Sequence, residues 1–480
     1  MKDLRILLHL ILCALTGSAF AGSSPNILVI LVDDMGYGDP GCYNPESKIP
    51  TPNIDSLARD GMRFTDAHAP GAVCHPSRYG LLTGEHPFRV NTNVWRKQPV
   101  IAKDRVTIAS LLKSRGYRTA MVGKWHLGFA ENGYENPLPG GPVDRGFDSY
   151  FGIRASTDIP PYFYIRGDRA VAPPTDSVPA NYSDETIWTR IQGAFWREGG
   201  IAPGLELKNV LPRFTDEACD VIREHGKAGN DKPLFLYLAY PAPHTPWLPS
   251  KKYLGKSGAG MYGDFVHMVD DLVGRVLNAL QQAGMAGNTL VVLSSDNGPV
   301  WYDKDVTRFG HDSSGGLRGM KADAWEGGHR MPFLVRWPGH VKPGSVTDQT
   351  ICFTDLLATF SAVTGGELPE GAGPDSFNLL PVLLGSQPQQ DPIRGPLVVP
   401  AARGTMSIRS GKWKLITALG SGGFSEPRRV KPLKDGPTGQ LYDMVKDQGE
   451  TTNLYLKHPE VVARLSAELK RIRGARQTRP

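Results

Sequence analysis

An α/β fold is predicted: a large, mostly parallel sheet flanked by helices, followed by a small C-terminal α+β domain with a short antiparallel sheet. Three observations predict it. Four short apolar runs lie at 27–32, 118–122, 234–239 and 289–293, as strands buried on both faces of a parallel sheet require. Segments with helical spacing lie between them, and that alternation implies parallel pairing through crossover helices. Beyond about residue 369 the texture changes to Pro- and Gly-rich linkers around short strand-like pieces.

The elements follow in order. The run 27–32 reads Ile-Leu-Val-Ile-Leu-Val, without a polar break. A helix over 53–59 starts after Thr51-Pro52 and stops near Gly61, with good punctuation at both ends. The stretch 160–207, rich in Pro, Gly and aromatics, reads as an irregular insertion. Helix 261–282 sets Phe265, Met268, Val269, Leu272, Val276 and Leu280 on one face and ends at Gly284. Strand-like pieces at 405–408 and 413–416 and a closing helix over 459–473 form the smaller unit. The expected division is 22–380 for the α/β domain and 381–480 for the smaller one.

The bulk numbers exclude several classes. The chain has 480 residues, 40% hydrophobic and 21% charged, too apolar for a disordered polymer. Much of its formal charge of +6 sits in Lys470, Arg471, Arg473, Arg476 and Arg479. No nucleic-acid-binding motif accompanies that cluster, which reads as a solvated helix end rather than a nucleic-acid contact. Residues 1–21 read as a secretory signal peptide. Lys2 and Arg5 precede an apolar run at 6–15, and Ala19-Phe20-Ala21 supplies a cleavage pattern. That run is half the roughly 20 residues that span a bilayer, so no stable membrane insertion is expected. The expected destination is the periplasm or the medium, or a lysosome in a eukaryotic cell. With Cys13 inside the signal, Cys42, Cys74, Cys219 and Cys352 remain. Four cysteines allow at most one or two bridges and exclude a disulfide-stapled scaffold.

In open α/β sheets, ligands bind beyond the carboxyl ends of the strands. Here the four runs lead into Asp33-Asp34, into Gly123-Lys124-Trp125-His126, through a Pro-rich turn to His244, and into Ser294-Ser295-Asp296-Asn297. One such tip could be a turn former; four argue for one convergent site. Asp33, Asp34, Asp296 and Asn297 offer only oxygen, the donor set of a hard cation such as calcium rather than zinc.

The segment Cys74-His75-Pro76-Ser77-Arg78 adds a second signal. Pro76 suits a first helical turn, which puts Cys74 at the positive end of a helix, and Arg78 supplies a planar cation for an oxyanion. Read alone, Cys74 is equally compatible with an inert buried thiol. A thiolate phosphatase would need five residues between Cys and Arg; three stand here.

These residues resemble a known family. Cys74-x-Pro76-Ser77-Arg78 followed by Leu82-Thr83-Gly84 is similar to the signature of type I sulfatases, members of the alkaline phosphatase superfamily. The likeness extends to Val32-Asp33-Asp34-Met35-Gly36-Tyr37-Gly38-Asp39, Thr51-Pro52-Asn53-Ile54-Asp55 and Gly123-Lys124-Trp125-His126-Leu127-Gly128. It continues in His244, Ser295-Asp296-Asn297-Gly298, Lys321 with Trp325-Glu326-Gly327-Gly328, Leu441-Tyr442-Asp443 and Gly449-Glu450-Thr451. The segment Gly319-Met320-Lys321-Ala322-Asp323 departs from the Gly- and Thr-rich form common there.

The resemblance implies an alkaline-phosphatase-like sheet and a sulfuric ester hydrolase, arylsulfatase-like, acting on aryl sulfates as reporters and on sulfated carbohydrates in nature. It implies that Cys74 is oxidised to formylglycine by a formylglycine-generating enzyme. Calcium would be held by Asp33, Asp34, Asp296, Asn297 and an oxygen of modified residue 74. Arg78, Lys124, His244 and Lys321 would meet the sulfate, with His244 or Lys321 protonating the leaving alcohol. A hydroxyl of the aldehyde hydrate would attack sulfur, and His126 would deprotonate the other hydroxyl to expel sulfate. Ser156 and Asp158 match substrate-side residues of arylsulfatase-like members. His311 and His329 are expected near the pocket. Two other readings stay open: a formylglycine-dependent phosphodiesterase or phosphonate monoester hydrolase, and an inactive sulfate-ester-binding protein.

Overall fold

The computed structural model describes residues 24–229 and 232–479; the leader predicted at 1–21 lies outside the described residues. Four strands form the centre: β1 (Asn26–Asp33), β2 (Arg118–Lys124), β3 (Leu234–Pro243) and β4 (Thr289–Ser295). They are hydrogen-bonded in the order β4–β1–β3–β2, every pair parallel. All four predicted runs are therefore strands, each slightly longer than its apolar stretch.

The flanks complete a ten-stranded sheet. Beyond β2 lie Ser149–Ile153, which is parallel, and then the antiparallel Tyr164–Arg166 and Arg169–Ala170. Beyond β4 lie Phe333–Arg336, antiparallel to both its neighbours, then Met62–Phe64 and Ser345–Thr347. The sheet is thus mixed at its flanks and parallel where the site stands. The aperiodic insertion holds several of these short strands, with Asp176–Val178 and Gly199–Ile201 forming a pair of their own.

Period-2 alternation explains the unbroken apolar runs. Ile27, Val29 and Leu31 enter the core on one face of the sheet together with Phe235, Tyr237 and Val292. Leu28, Ile30 and Val32 enter the other with Leu236, Leu238 and Leu293. Each such side chain contributes about 1.5–3 kcal/mol by burial, so the centre is fixed independently of any site chemistry.

Helices cover both faces. Named in chain order, α1 is Pro52–Arg59, α2 is Cys74–Thr83, α3 is Val210–Lys227 and α4 is Gly260–Gln282. The predicted stripe of α4, from Phe265 to Leu280, packs on the face that carries Leu28 and Ile30. The small antiparallel sheet comprises Leu397–Pro400, Met406–Ser410, Trp413–Ile416 and Gln440–Asp443. Helix Pro459–Gly474 closes it, with Leu465 and Ile472 against Ile408 and Leu415. Cys42, Cys74, Cys219 and Cys352 are all unpaired, so the core rather than disulfides carries stability. Among the described residues, no helix is long and apolar enough to cross a membrane.

One buried carboxylate ties distant segments together. Asp375 accepts from the His86 backbone at 2.8 Å, from Nε and Nη2 of Arg89 at 2.8 Å each, and from Thr478 at 2.7 Å. Burial alone would raise its pKa; His86 and Arg89 outweigh that and bring it from 3.8 to about 2. A depressed carboxylate contributes stability that is complete above its unfolded pKa and lost as pH falls through the folded one. The expected result is a loss of about 2 kcal/mol between pH 4 and 2 that is missing in Asp375→Asn, measured by urea unfolding at each pH.

Candidate active site

The strand register gathers the site. Val32 lies opposite Ser295, Leu31 opposite Ala239, and Ala239 opposite Gly123. The residues just past these positions therefore emerge in one row: Asp296 and Asn297, Asp33 and Asp34, His244, and Lys124. The Asp296 N–H donates to the Val32 carbonyl at 3.0 Å, which locks two of the tips together. Asp34 and His126 take left-handed backbone (φ 65° and 59°), as does Ala322 next to Lys321 (φ 77°). Strained non-glycine backbone of this kind concentrates at functional sites.

Cys74 opens α2, with extended Val73 before it and no side chain capping the helix start. Its Sγ lies 3.4 Å from Asp33 Oδ1 and 3.4 Å from Lys321 Nζ. One turn on, Arg78 is fully buried. It donates through Nε to Asp296 Oδ2 at 2.9 Å, through Nη2 to Asp33 Oδ2 at 3.2 Å, and through Nη1 to the Lys124 carbonyl at 3.1 Å. Its fork is therefore spent on setting the carboxylates. Lys124 Nζ forms an ion pair with Asp33. Lys321 Nζ reaches both oxygens of Asp34, at 2.6 and 2.8 Å. The Lys321 segment is pinned by two backbone bonds, Lys321 N–H to Pro299 at 2.9 Å and Ala322 N–H to Ala72 at 2.7 Å.

The electrostatics are those of crowded acids. Burial would raise the Asp33 pKa, but Lys124, His244, Arg78 and Lys321 hold it well below the usual carboxylate range. Asp296 moves the other way: burial and the Asp33 charge outweigh Arg78 and Lys124. Burial, together with Asp296 and Asp33, pushes the Cys74 thiol up, so the unmodified residue is a protonated thiol and a poor nucleophile. That counts against thiolate chemistry. Burial, then Lys124 and His75, holds His126 well below the ordinary histidine value, leaving a neutral ring able to accept a proton.

Several buried polar atoms here have no hydrogen-bond partner among the described residues: Asn297 Oδ1, both His126 ring nitrogens, Ser156 Oγ and Asp158 Oδ1. Unsatisfied buried groups are rare in native proteins, and this group of them surrounds one point. His244 joins the halves, its Nε2 3.6 Å from Asp34 Oδ2 and its Nδ1 3.8 Å from Asp158 Oδ1. Asp34, Asp158, His244 and Lys321 line one cavity.

The structure thus brings the sequence-predicted residues together, with Ser156 buried two positions before Asp158. It places two other histidines elsewhere. His311 is fully buried and its Nε2 pairs with Asp39 at 2.9 Å, latching the Asp39 loop. His329 is buried against His68, their Nδ1 atoms 3.0 Å apart, beside Lys414. Neither lines the cavity. Sequence reasoning missed Phe195, Arg197 and Phe424, which do line it; they belong to aperiodic segments that carry no motif. His75, left unassigned by the motif, packs near His126 and Trp95.

Comparisons with known proteins agree with this geometry. The family model described as Sulfatase matches residues 25–366. The chain is 34% identical to the N-acetylgalactosamine-6-O-sulfatase of Bacteroides thetaiotaomicron over 94% of this chain and 93% of that protein. It is also 34% identical to human arylsulfatase A, over 92% of this chain and 86% of the relative. A solved Bacteroides thetaiotaomicron structure, titled for the metabolism of multiple glycosaminoglycans, superposes with a TM-score of 0.80 at 31% identity. It covers 95% of this chain and 100% of that one.

Proposed function

The chain belongs to the sulfatase family of sulfuric ester hydrolases, and from that premise we propose that it cleaves sulfate esters of carbohydrates with a formylglycine made from Cys74 and a bound calcium ion. One observation carries the proposal: Cys74 stands at an uncapped helix start within 3.4 Å of both Asp33 and Lys321, although its thiol is unsuited to attack.

The donor set fits a hard dication. Asp33, Asp34, Cys74 and His244 each present an atom within 4.8 Å of the others. Asn297 donates to Asp34 at 2.6 Å, while its own Oδ1 is buried without a partner. Asp33, Asp34, Asp296 and Asn297, with an oxygen on modified residue 74, would hold calcium, which would supply charge stabilisation and a lowered pKa for a nearby hydroxyl. Three carboxylates here face three cations, Arg78, Lys124 and Lys321; a dication added to that balance makes the site positive, as an anionic ester requires. Formylglycine would supply an aldehyde hydrate with two hydroxyls, one to attack sulfur and one to release sulfate.

The chain's own residues do the rest. Arg78 fixes Asp33 and Asp296, so the metal ligands need no rearrangement during the reaction. Lys321 and His244 face the cavity, where they bind sulfate oxygens and deliver a proton to the departing alcohol. Lys124 is fully enclosed against Asp33 and sets its position and charge. His126, neutral and with both ring nitrogens unengaged, takes the proton from the second hydroxyl at residue 74. Ser156 and Asp158 meet the sugar. A formylglycine-generating enzyme is the required partner in maturation, and export follows from the leader.

A panel of nitrophenyl esters tests this. Turnover of the sulfate is expected to exceed that of the phosphate monoester and diester by about 100-fold or more, since catalysis here rests on positioning for one charge state. Faster diester cleavage would make the protein a phosphodiesterase. Peptide mass spectrometry should find residue 74 lighter than cysteine by the loss of sulfur and gain of oxygen. A fully unmodified thiol in protein from its native host would favour a sulfate-ester binder.

A further inference from the structure

The cavity reached by His244 and Lys321, about 110 Å³, is walled by residues far from them in sequence. Phe195 and Arg197 come from the insertion after Ser156. Phe424 comes from the loop between Trp413–Ile416 and Gln440–Asp443. A cavity of this size accommodates one compact ring rather than a length of chain, which directs attention to what recognises that ring's substituents.

Arg197 stands at the mouth with its side chain 50% exposed. Its guanidinium lies 5.0 Å over the ring of Phe195, a stacking geometry that suits arginine's flat cation. Nη1 donates to the Asp158 carbonyl at 3.1 Å and pairs with the Asp158 carboxylate. The Arg197 backbone N–H bonds the same carbonyl at 3.2 Å, so the residue is anchored twice to the loop that carries Asp158. Nε and Nη2 have no hydrogen-bond partner among the described residues. The only carboxylates lining the cavity are Asp34, taken by Lys321, and Asp158, taken through Nη1.

We propose that Arg197 reads a second oxyanion on the leaving saccharide, so that sugars carrying a further sulfate or a carboxylate are preferred over singly charged ones. The proposal rests on the sulfatase reading of the site and names its substrate class. The Nε–Nη2 edge of a guanidinium presents parallel N–H donors at the spacing of two oxyanion oxygens, and such forked, charge-assisted bonds are about twice as strong as neutral ones. Partial exposure weakens the Coulomb contribution and leaves the directional one. Stacking on Phe195 and the bonds to Asp158 hold the edge in place beforehand, which lowers the ordering cost on binding.

The test compares N-acetylgalactosamine 6-sulfate with its 4,6-disulfate and with an unsaturated disaccharide in which a uronate precedes the 6-sulfated sugar, so that the two oxyanion sources are read separately. The wild type is expected to favour at least one doubly anionic substrate by about tenfold in kcat/KM. Arg197→Gln should remove that preference through KM, costing the monosulfate no more than about threefold, and Arg197→Lys should restore part of it. Equal losses on all three substrates in Arg197→Gln would reduce the residue to a support for Asp158, and a wild type blind to the second anion would overturn the proposal. Calorimetric binding of the disulfate to Cys74→Ala protein, with and without Arg197→Gln, gives the same comparison without turnover. Nitrophenyl sulfate, which lacks a second anion, reports on the reaction centre, so its failure in the wild type would fall on the formylglycine reading and leave the binding comparison to judge Arg197.

Discussion

Replacing Cys74 by alanine is expected to lower turnover of nitrophenyl sulfate by about 10⁴-fold or more, the scale seen when a covalent nucleophile is removed, while the circular-dichroism spectrum stays that of the wild type. Residue 74 is only 4% exposed, and α2 around it is held by buried neighbours from Pro76 to Thr83. Trimming one sulfur there leaves the helix and its contacts in place, at a cost of the order of 1 kcal/mol. Cys74→Ser keeps an oxygen at the position but provides one hydroxyl on carbon instead of two. It should therefore allow at most one turnover, with a sulfated serine visible as a mass gain on the peptide that contains residue 74. Retained steady-state activity in either variant would remove residue 74 from the chemistry.

Exhaustive chelation is expected to suppress turnover by about 100-fold or more, the scale of several kcal/mol of charge stabilisation, and calcium should restore it. The reason lies in Asp33 and Asp296. Both are fully buried, and Arg78 bridges them, yet the Asp296 carboxyl is still pushed up by burial and by the Asp33 charge. A dication relieves that repulsion, so its binding also stabilises the fold. At a calcium concentration 100 times Kd the gain is about 2.7 kcal/mol, read as a melting temperature that climbs with calcium. Restoration by zinc alone would contradict an oxygen-only donor set.

Much of this was legible in the sequence because it is periodic or local. The run at 27–32 alternates between two core faces, and the polar pair after it can only emerge at the sheet's carboxyl edge. Four such tips predicted a shared site, and the Val32–Ser295 register delivered it. Long-range packing was not legible. His311 and His329 fall near site residues along the chain, but Asp39 draws one away and His68 and Lys414 the other. Arg197 and Phe424 sit in segments whose path follows from tertiary packing alone, so no periodicity marks them. The role of Arg78 shifted for a similar reason: its residue type pointed to an oxyanion, while its distances show a guanidinium committed to carboxylates.

The position of Phe424 bears on how the chain can be shortened or recombined. Asp323 accepts from the backbone of Phe424 at 2.7 Å, of Ser425 at 3.1 Å and of Met320 at 2.9 Å, so a single carboxylate staples the strand-linking loop of the small sheet to the segment that presents Lys321. A chain cut after residue 380 would retain every reacting side chain yet lose the staple's other leg, and Lys321 would be left on an untethered hairpin. The terminal fifth of the sequence is accordingly not an appendage that can be exchanged between relatives; swapping it would re-aim a cation at the reaction centre.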